Sequence, residues 1–251
     1  MKRLFTALIG AALTGALAAP AAAAEPTMEE LLNATDDIAR GESSIAVISM
    51  NVKTERYERS VTMKAWSRGT EESLILIEAP AKEKGTATLK VEDNIWNYLP
   101  KVDRTIKVPA SMMGGSWMGS HFSNDDLVKE NRLSEEFTGE ITARPADDSP
   151  EGVYKIELTP KPDAAVVWGK IEVEVRADKI PVETRFYDEK GELIRTMSFE
   201  DVKDFDGQMV PARMRITPAD KPGEYTEVIY ESLEFDTEIP DNTFSLQALR
   251  R

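Results

Sequence analysis

Short segments in which apolar and polar residues alternate make up most of this chain. Ala46, Ile48, Met50 and Val52 are one example, because every second residue is apolar there. A repeat of two places alternate side chains on opposite faces of an extended strand, so the pattern predicts β-structure. The same alternation recurs at residues 61–65, 74–78, 86–91, 94–99, 104–108, 153–159, 167–176, 182–188, 192–201, 209–217 and 224–235.

The connections between these segments are short and rich in turn residues. Residues 188–191 (DEKG) and the pair Asp206-Gly207 are typical of tight turns between neighbouring antiparallel strands. Residues 170–175 alternate Lys or Glu with Ile or Val, so one face of the sheet is wet and the other is buried. The sequence therefore predicts a mainly β (α+β) fold, a meandering antiparallel sheet that curls around its apolar face.

Only two segments are predicted to be helical. Thr27 and Glu30 have the spacing of a capping box and open an amphipathic stretch over residues 28–40. A second, shorter helix is predicted after Ser123, where Asp126 completes another capping box. Two helices fill a large curled sheet poorly, so we expect an apolar cavity on its concave face.

The N-terminus has the features of a secretory leader. Lys2 and Arg3 precede an apolar stretch that ends in small residues, and residues 1–24 are predicted to be a signal peptide that is cut after Ala24. The chain contains no cysteine, so it has no thiol for lipidation at that cut. We expect a soluble periplasmic protein in which residues 25–251 form a single domain.

The charge of the mature chain is strongly negative. Lys2 and Arg3 are two of the 31 basic residues, which leaves 29 against 45 acidic residues and a formal charge of −16. Such a chain is repelled by nucleic acid and, at long range, by anionic membrane surfaces. We expect a monomer that does not bind nucleic acid.

The sequence offers few residues for catalysis or metal binding. With no cysteine and a single histidine, ordinary zinc and iron–sulfur sites are not available, and we expect no metal and no cofactor. His121 lies near several serines, which is weak support for a nucleophile pair. The acidic cluster at residues 201–207 lacks the ligand spacing of a calcium loop and is interpreted as a hairpin turn. We therefore do not expect an enzyme.

Residues 111–122 (SMMGGSWMGSHF) are unusual in composition. Methionine and tryptophan supply adaptable apolar contacts, whereas the glycines oppose regular structure. Two interpretations stay open: a mobile lid over an apolar cavity, or a bulky loop that packs permanently into the core.

Five stretches resemble the outer-membrane lipoprotein-sorting proteins, the LolA-like family. They are residues 77–80 (IEAP), 84–87 (KGTA), 94–100 (NIWNYLP), 117–127 (WMGSHFSNDDL) and, more loosely, 239–246 (IPDNTFSL). The resemblance implies a half-open antiparallel barrel, closed by helices and a loop, whose apolar concave face accepts acyl chains. It implies a carrier, with an inner-membrane transporter of the ABC or resistance-nodulation-division type and an outer-membrane acceptor as partners.

Large apolar side chains within these stretches and the 111–122 segment are the candidates for ligand contact, because they have the most area to bury. Trp96 and Tyr98 share one face of a strand and Leu99 lies on the other, so at most one set lines a cavity. The candidates for the cavity or its lid are Trp96, Tyr98, Met112, Met113, Trp117, Met118 and Phe122.

The main hypothesis is a periplasmic carrier that shields the acyl chains of a lipoprotein or lipid between the inner and outer membranes. Two alternatives remain open from the sequence. One is a β-rich envelope scaffold that binds no ligand, and the other is a carboxylate-dependent hydrolase, because acidic residues are plentiful.

Overall fold

The structure is a computed structural model that describes residues 25–129, 133–146, 149–164 and 166–250. The predicted signal peptide lies outside these residues. A single 13-stranded antiparallel sheet dominates the described part of the chain. No helix of the described part is both long enough and apolar enough to cross a membrane.

The sheet comprises six strands before its short helices and seven after them. The first six are β1 (Ser43–Lys53), β2 (Glu58–Arg68), β3 (Glu72–Ala79), β4 (Ala87–Val91), β5 (Asn94–Leu99) and β6 (Arg104–Lys107). The others are β7 (Phe137–Ala143), β8 (Val153–Pro160), β9 (Lys170–Arg176), β10 (Pro181–Tyr187), β11 (Leu193–Phe205), β12 (Gln208–Pro218) and β13 (Tyr225–Phe235).

The two halves of the sheet meet where β1 pairs with β13. The order across the sheet is β6-β5-β4-β3-β2-β1-β13-β12-β11-β10-β9-β8-β7. Apart from β1 and β13, all neighbouring strands are consecutive in the sequence. The strands β6 and β7 form the two edges and do not pair with each other. The sheet is therefore an open, curled half-barrel, as the alternation predicted.

The two faces of the sheet pack against different layers. In β1, Ala46, Ile48, Met50 and Val52 belong to the large apolar cluster on the concave face. Ile45 points the opposite way and packs with a smaller cluster on the convex face. Residues 239–250 cover that convex face and bury Ile239, Phe244, Ala248 and Leu249.

Three helices lie with the concave face: α1 (Met28–Asp37), α2 (Asp126–Lys129) and α3 (Leu133–Glu136). The predicted capping box is present at α1, where Glu30 N donates to Thr27 Oγ1 at 3.2 Å and Thr27 N donates to Glu30 at 2.8 Å. Leu31 and Leu32 of α1 are fully buried. The helix ends at Asp37, earlier than predicted, and Gly41 at φ +59° then turns the chain into β1.

The alternation did not reveal β7. Its sequence, FTGEITA, is mostly polar and contains Gly139. A Cβ at this position would collide with the carbonyl oxygen of Glu157 on β8, so the two backbones approach closely there. Glycine inside a strand weakens the sequence pattern at the point where pairing requires it.

Candidate functional site

An apolar cleft opens on the concave face in the second half of the sheet. Its floor is formed by β9 to β13, and its roof by the end of α1, the start of α2, α3 and the connection at residues 166–168. The cleft holds about 1210 Å³ of empty space, part of it open to solvent. Its apolar lining consists of Ile38, Ala39, Leu133, Phe137, Val166, Val167, Trp168, Ile171, Phe186, Met197, Phe199, Val210, Pro211, Met214 and Tyr230.

One ion pair lies within this apolar lining. Arg195 of β11 donates from Nη1 to Asp126 Oδ2 at 2.7 Å and from Nη2 to Asp126 Oδ1 at 2.6 Å. Both residues are buried, with 7% of Arg195 and 8% of Asp126 exposed. Because Asp126 is the first residue of α2, the pair fastens this helix to the floor of the cleft.

Aromatic rings surround the guanidinium of Arg195. Its central carbon lies 4.8 Å from the ring of Trp168 and 4.5 Å from that of Phe186. A guanidinium over aromatic faces is attracted by the ring electrons. Its Nε is buried and has no hydrogen-bond partner in the described structure. Arg195 is thus held by one carboxylate and two rings, and its buried Nε–H is left without a partner among the described residues.

Asp126 has a second role at the start of α2. Its Oδ2 accepts a hydrogen bond from Ser123 N at 2.7 Å, and Asp126 N donates to Ser123 Oγ at 3.1 Å. This is the capping box that the sequence predicted. The same carboxylate therefore caps the helix and pairs with Arg195, so a change at the pair also affects the turn before α2.

The charged residues at the cleft are predominantly acidic. Asp36, Asp125 and Glu136 are partly buried members of the lining, in addition to Asp126. Among the described lining residues, Arg40 and Arg195 carry positive charge.

The 111–122 segment fills the other half of the concave face. Trp117 is 4% exposed and donates from Nε1 to Thr88 Oγ1 of β4 at 3.1 Å. Phe122 is also buried and meets the Trp117 ring edge-on, with 6.4 Å between the centroids. The interpretation of this segment as a loop packed into the core fits these two residues. It acts as a plug beside the cleft.

Polar contacts hold this plug against the sheet. His121 Nδ1 lies 2.8 Å from Thr226 Oγ1, and its Nε2 lies 3.1 Å from Glu224 Oε2, near the start of β13. On the other side, Arg59 donates to the carbonyl oxygen of Met118 and also pairs with Glu83. His121 therefore has a structural role as an anchor between the plug and β13.

The methionines of this segment are less buried than its aromatic residues. Met112 is 59% exposed, whereas Met113 and Met118 are half-buried. Met118 has φ +50° and packs at the border of the concave cluster. Contact between these three residues and a ligand stays a prediction.

Trp96 and Tyr98 lie on the convex face, opposite the cleft. Both pack with the cluster formed by β3, β4 and the C-terminal segment. Lys107 Nζ lies 5.5 Å from the centre of the Trp96 ring. The Tyr98 hydroxyl donates to Asp103 Oδ1 at 3.0 Å, and this hydrogen bond raises the pKa of Tyr98. The sequence did not determine which face of this strand lines a cavity. The structure places Trp96 and Tyr98 on the face that does not line the cleft.

None of the seven predicted candidates is part of the cleft lining. Trp117 and Phe122 are brought together in the plug, whereas Trp96 and Tyr98 are on the other face. Sequence reasoning missed Arg195 and the β9 to β13 floor. One signal was present: Arg195 stands at an inward position of β11, in register with Met197 and Phe199, where an apolar residue is the rule.

The described residues contain no group of three histidine or carboxylate side chains placed to hold a metal ion. Both carboxylate oxygens of Asp126 are already used by Arg195, and one of them also by Ser123. The apolar walls provide area for a hydrocarbon ligand. The geometry of the cleft is therefore suited to binding an apolar ligand.

Comparisons with known proteins agree with this geometry. A protein-family model, described as that of an uncharacterized protein, matches residues 69–251. A putative outer-membrane lipoprotein-sorting protein domain from Vibrio parahaemolyticus has 26% sequence identity and a TM-score of 0.73, over 88% of this chain and 98% of that one. The chain belongs to the family that this model describes, and its fold is that of the LolA-like lipoprotein-sorting proteins.

Two further solved structures share this LolA-like fold. A LolA superfamily protein from Nitrosomonas europaea has 24% identity and a TM-score of 0.71, over 89% of this chain and 99% of that one. A DUF1329 family protein from Desulfovibrio piger has 23% identity and a TM-score of 0.77, over 87% of this chain and 96% of that one. No curated protein sequence matches the chain.

The LolA-like stretches seen in the sequence have distinct structural positions. Residues 77–80 and 84–87 flank the turn between β3 and β4, and residues 94–100 form β5 and the turn after it. Residues 117–127 comprise the plug and the start of α2, including Asp126 of the ion pair. Residues 117–127 are the stretch that reaches the cleft, through Asp125 and Asp126.

Proposed function

We propose that this LolA-like protein is a periplasmic carrier that shields the acyl chains of a lipoprotein or lipid on their way from the inner to the outer membrane. The observation that carries the proposal is the apolar cleft on the concave face. Its floor presents Phe199 and Met214, which are only partly buried and whose further burial by hydrocarbon is favourable at about 25 cal/mol per Å².

The position of the ion pair supports a cleft that opens. Arg195 and Asp126 join the floor to α2, which forms part of the roof. We propose that the cleft opens at this contact, with cargo or solvent compensating both charges, because a buried charge that is left unpaired is strongly unfavourable.

The lining supports a carrier of neutral chains. The described lining residues include four carboxylates and two guanidiniums in mostly apolar walls, a composition that favours uncharged hydrocarbon over a free fatty acid anion. Ester- or amide-linked acyl chains carry no charge at their carbonyl end. We propose that the protein is a monomer and binds its ligand without chemical conversion. We also propose that an inner-membrane transporter loads the carrier and that an outer-membrane acceptor unloads it.

Titration of delipidated protein with a fluorescent apolar probe tests the proposal. Met214→Gln places a polar group in the lining and should weaken probe binding several-fold. Met209→Gln makes the same change on the same strand, at a side chain that is 51% exposed and outside the cleft, and should leave binding unchanged. Absence of saturable binding to the folded protein contradicts the proposal.

A further inference from the structure

Exposed apolar residues are concentrated around one hairpin at the edge of the sheet. Ten large apolar side chains of the described residues are exposed, and four of them, Leu99, Val102, Ile106 and Met112, lie within 14 residues of sequence. Single exposed apolar residues need no explanation, but a cluster of them marks an interaction site.

The hairpin pairing places these side chains together. Leu99 pairs with Arg104, and Asn97 pairs with Ile106, so Leu99 and Ile106 are on the same face of the β5–β6 hairpin. Val102 is 58% exposed in the turn between the two strands. Because β6 is an edge strand, no further strand pairs with its outer edge.

Basic residues surround the apolar ones. Asp103 is the only acidic residue between positions 94 and 124, a stretch that also contains Lys101, Arg104 and Lys107. The neighbouring loop at residues 80–86 adds Lys82 and Lys84 at the same end of the sheet, since a Cβ on its Gly85 would lie 3.6 Å from Pro100.

These cations are available to a partner. Lys82, Lys84, Lys101 and Arg104 are all exposed. None of the four forms an ion pair in the described part of the chain, in contrast to Arg59, Arg68, Arg176, Arg185 and Arg213. A local positive patch therefore stands out on a chain whose 45 acidic residues make it strongly negative overall.

We propose that this basic tip, consisting of Lys82, Lys84, Leu99, Lys101, Val102, Arg104 and Ile106, docks onto the surface of an anionic phospholipid bilayer. Aliphatic side chains flanked by lysine suit the interface, because the chains enter the acyl boundary while the ammonium groups stay at the phosphates. The proposal is independent of whether the cleft carries a ligand.

The acidic remainder of the protein does not prevent this contact. At physiological ionic strength the Debye length is about 8 Å, so charges farther than that from the bilayer are largely screened. The basic tip is then the part of the protein that is attracted to the bilayer, and repulsion of the acidic remainder turns that part of the molecule away from the bilayer. Short edge strands also carry lysine to block pairing with other sheets, which provides the competing explanation.

Co-sedimentation of the mature protein with vesicles separates the two explanations. The probe is a vesicle of phosphatidylethanolamine and phosphatidylglycerol, compared with one of phosphatidylcholine alone. We expect binding to the anionic vesicles at low salt, little binding to phosphatidylcholine, and at least a tenfold loss at about 0.5 M salt, where the Debye length is about 4 Å.

Two tip variants and a matched control complete the test. Lys101→Gln with Arg104→Gln, and Val102→Ser with Ile106→Ser, should each lower vesicle binding about tenfold or more while retaining apolar-probe binding. Met209→Ser with Leu246→Ser removes two equally exposed apolar side chains elsewhere and should bind like the native protein. Lack of vesicle binding by the native protein, equal binding to phosphatidylcholine, or unchanged binding by the tip variants overturns the proposal.

Discussion

Arg195 donates hydrogen bonds to both carboxylate oxygens of Asp126, at 2.7 and 2.6 Å, inside a cleft whose lining is mostly apolar. The pair joins β11 to the first residue of α2, and Trp168 and Phe186 flank its guanidinium. It is a polar contact between the floor and the roof of the cleft.

Breaking one side of this pair should destabilise the protein strongly. Asp126→Asn leaves Arg195 buried without its counter-ion, and the free energy of unfolding should fall by about 3 to 5 kcal/mol. Urea unfolding followed by circular dichroism measures the change. Glu58→Gln is the control: it breaks the exposed pair with Lys53 and should cost about 1 kcal/mol or less.

Removal of both charges should restore most of the lost free energy of unfolding. Asp126→Asn combined with Arg195→Met leaves no unpaired buried charge, so the double variant should be more stable than Asp126→Asn alone. If the double variant is as unstable as the single one, the cost arises from the helix cap at Ser123 and not from the ion pair.

The plug should behave as core and not as a mobile lid. Trp117→Ala removes a 4% exposed side chain and its hydrogen bond to Thr88, and should lower the free energy of unfolding by about 3 to 5 kcal/mol. Met112→Ala, in the same segment but 59% exposed, should change it by about 0.5 kcal/mol or less. Similar small effects for both variants would mean that the segment is a loosely held lid.

The sequence predicted the architecture but not the position of the cleft, for physical reasons that particular residues show. A period of two reports a strand wherever one face is buried, as at Ala46, Ile48 and Met50, but β7 was missed because Gly139 interrupts the pattern. The same alternation states that Trp96 and Tyr98 share a face without stating which layer covers that face. Here the C-terminal segment covers it, a contact between residues more than 140 positions apart.

A pH-sensitive contact joins β12 to β13. Burial raises the pKa of Glu227, but a hydrogen bond from Arg215 at 2.6 Å and the charges of Arg213 and Arg215 outweigh this effect and hold the pKa below its ordinary value of 4.5. A lowered folded-state pKa stabilises the protein above the unfolded value, and this contribution is lost as the pH falls through the folded value.

Glu227→Gln should therefore lower the melting temperature most at neutral pH. The difference between the native protein and the variant should shrink as the pH is lowered below the unfolded-state pKa of about 4.3, because the unfolded chain then takes up a proton that the native carboxylate resists. Thermal melts at several pH values measure this difference. A constant difference at all pH values would show that the charge of Glu227 is not what stabilises the two strands.

The most direct test of the carrier account is the content of the cleft when the protein is taken from its own cell compartment. Protein purified from the periplasm without detergent would be extracted with organic solvent, and the extract analysed by mass spectrometry, with Met214→Gln purified in parallel. The account predicts acyl-containing species in the native extract and a reduced amount in the variant. A native extract without any acyl species, from protein that is folded and binds no apolar probe, would contradict it.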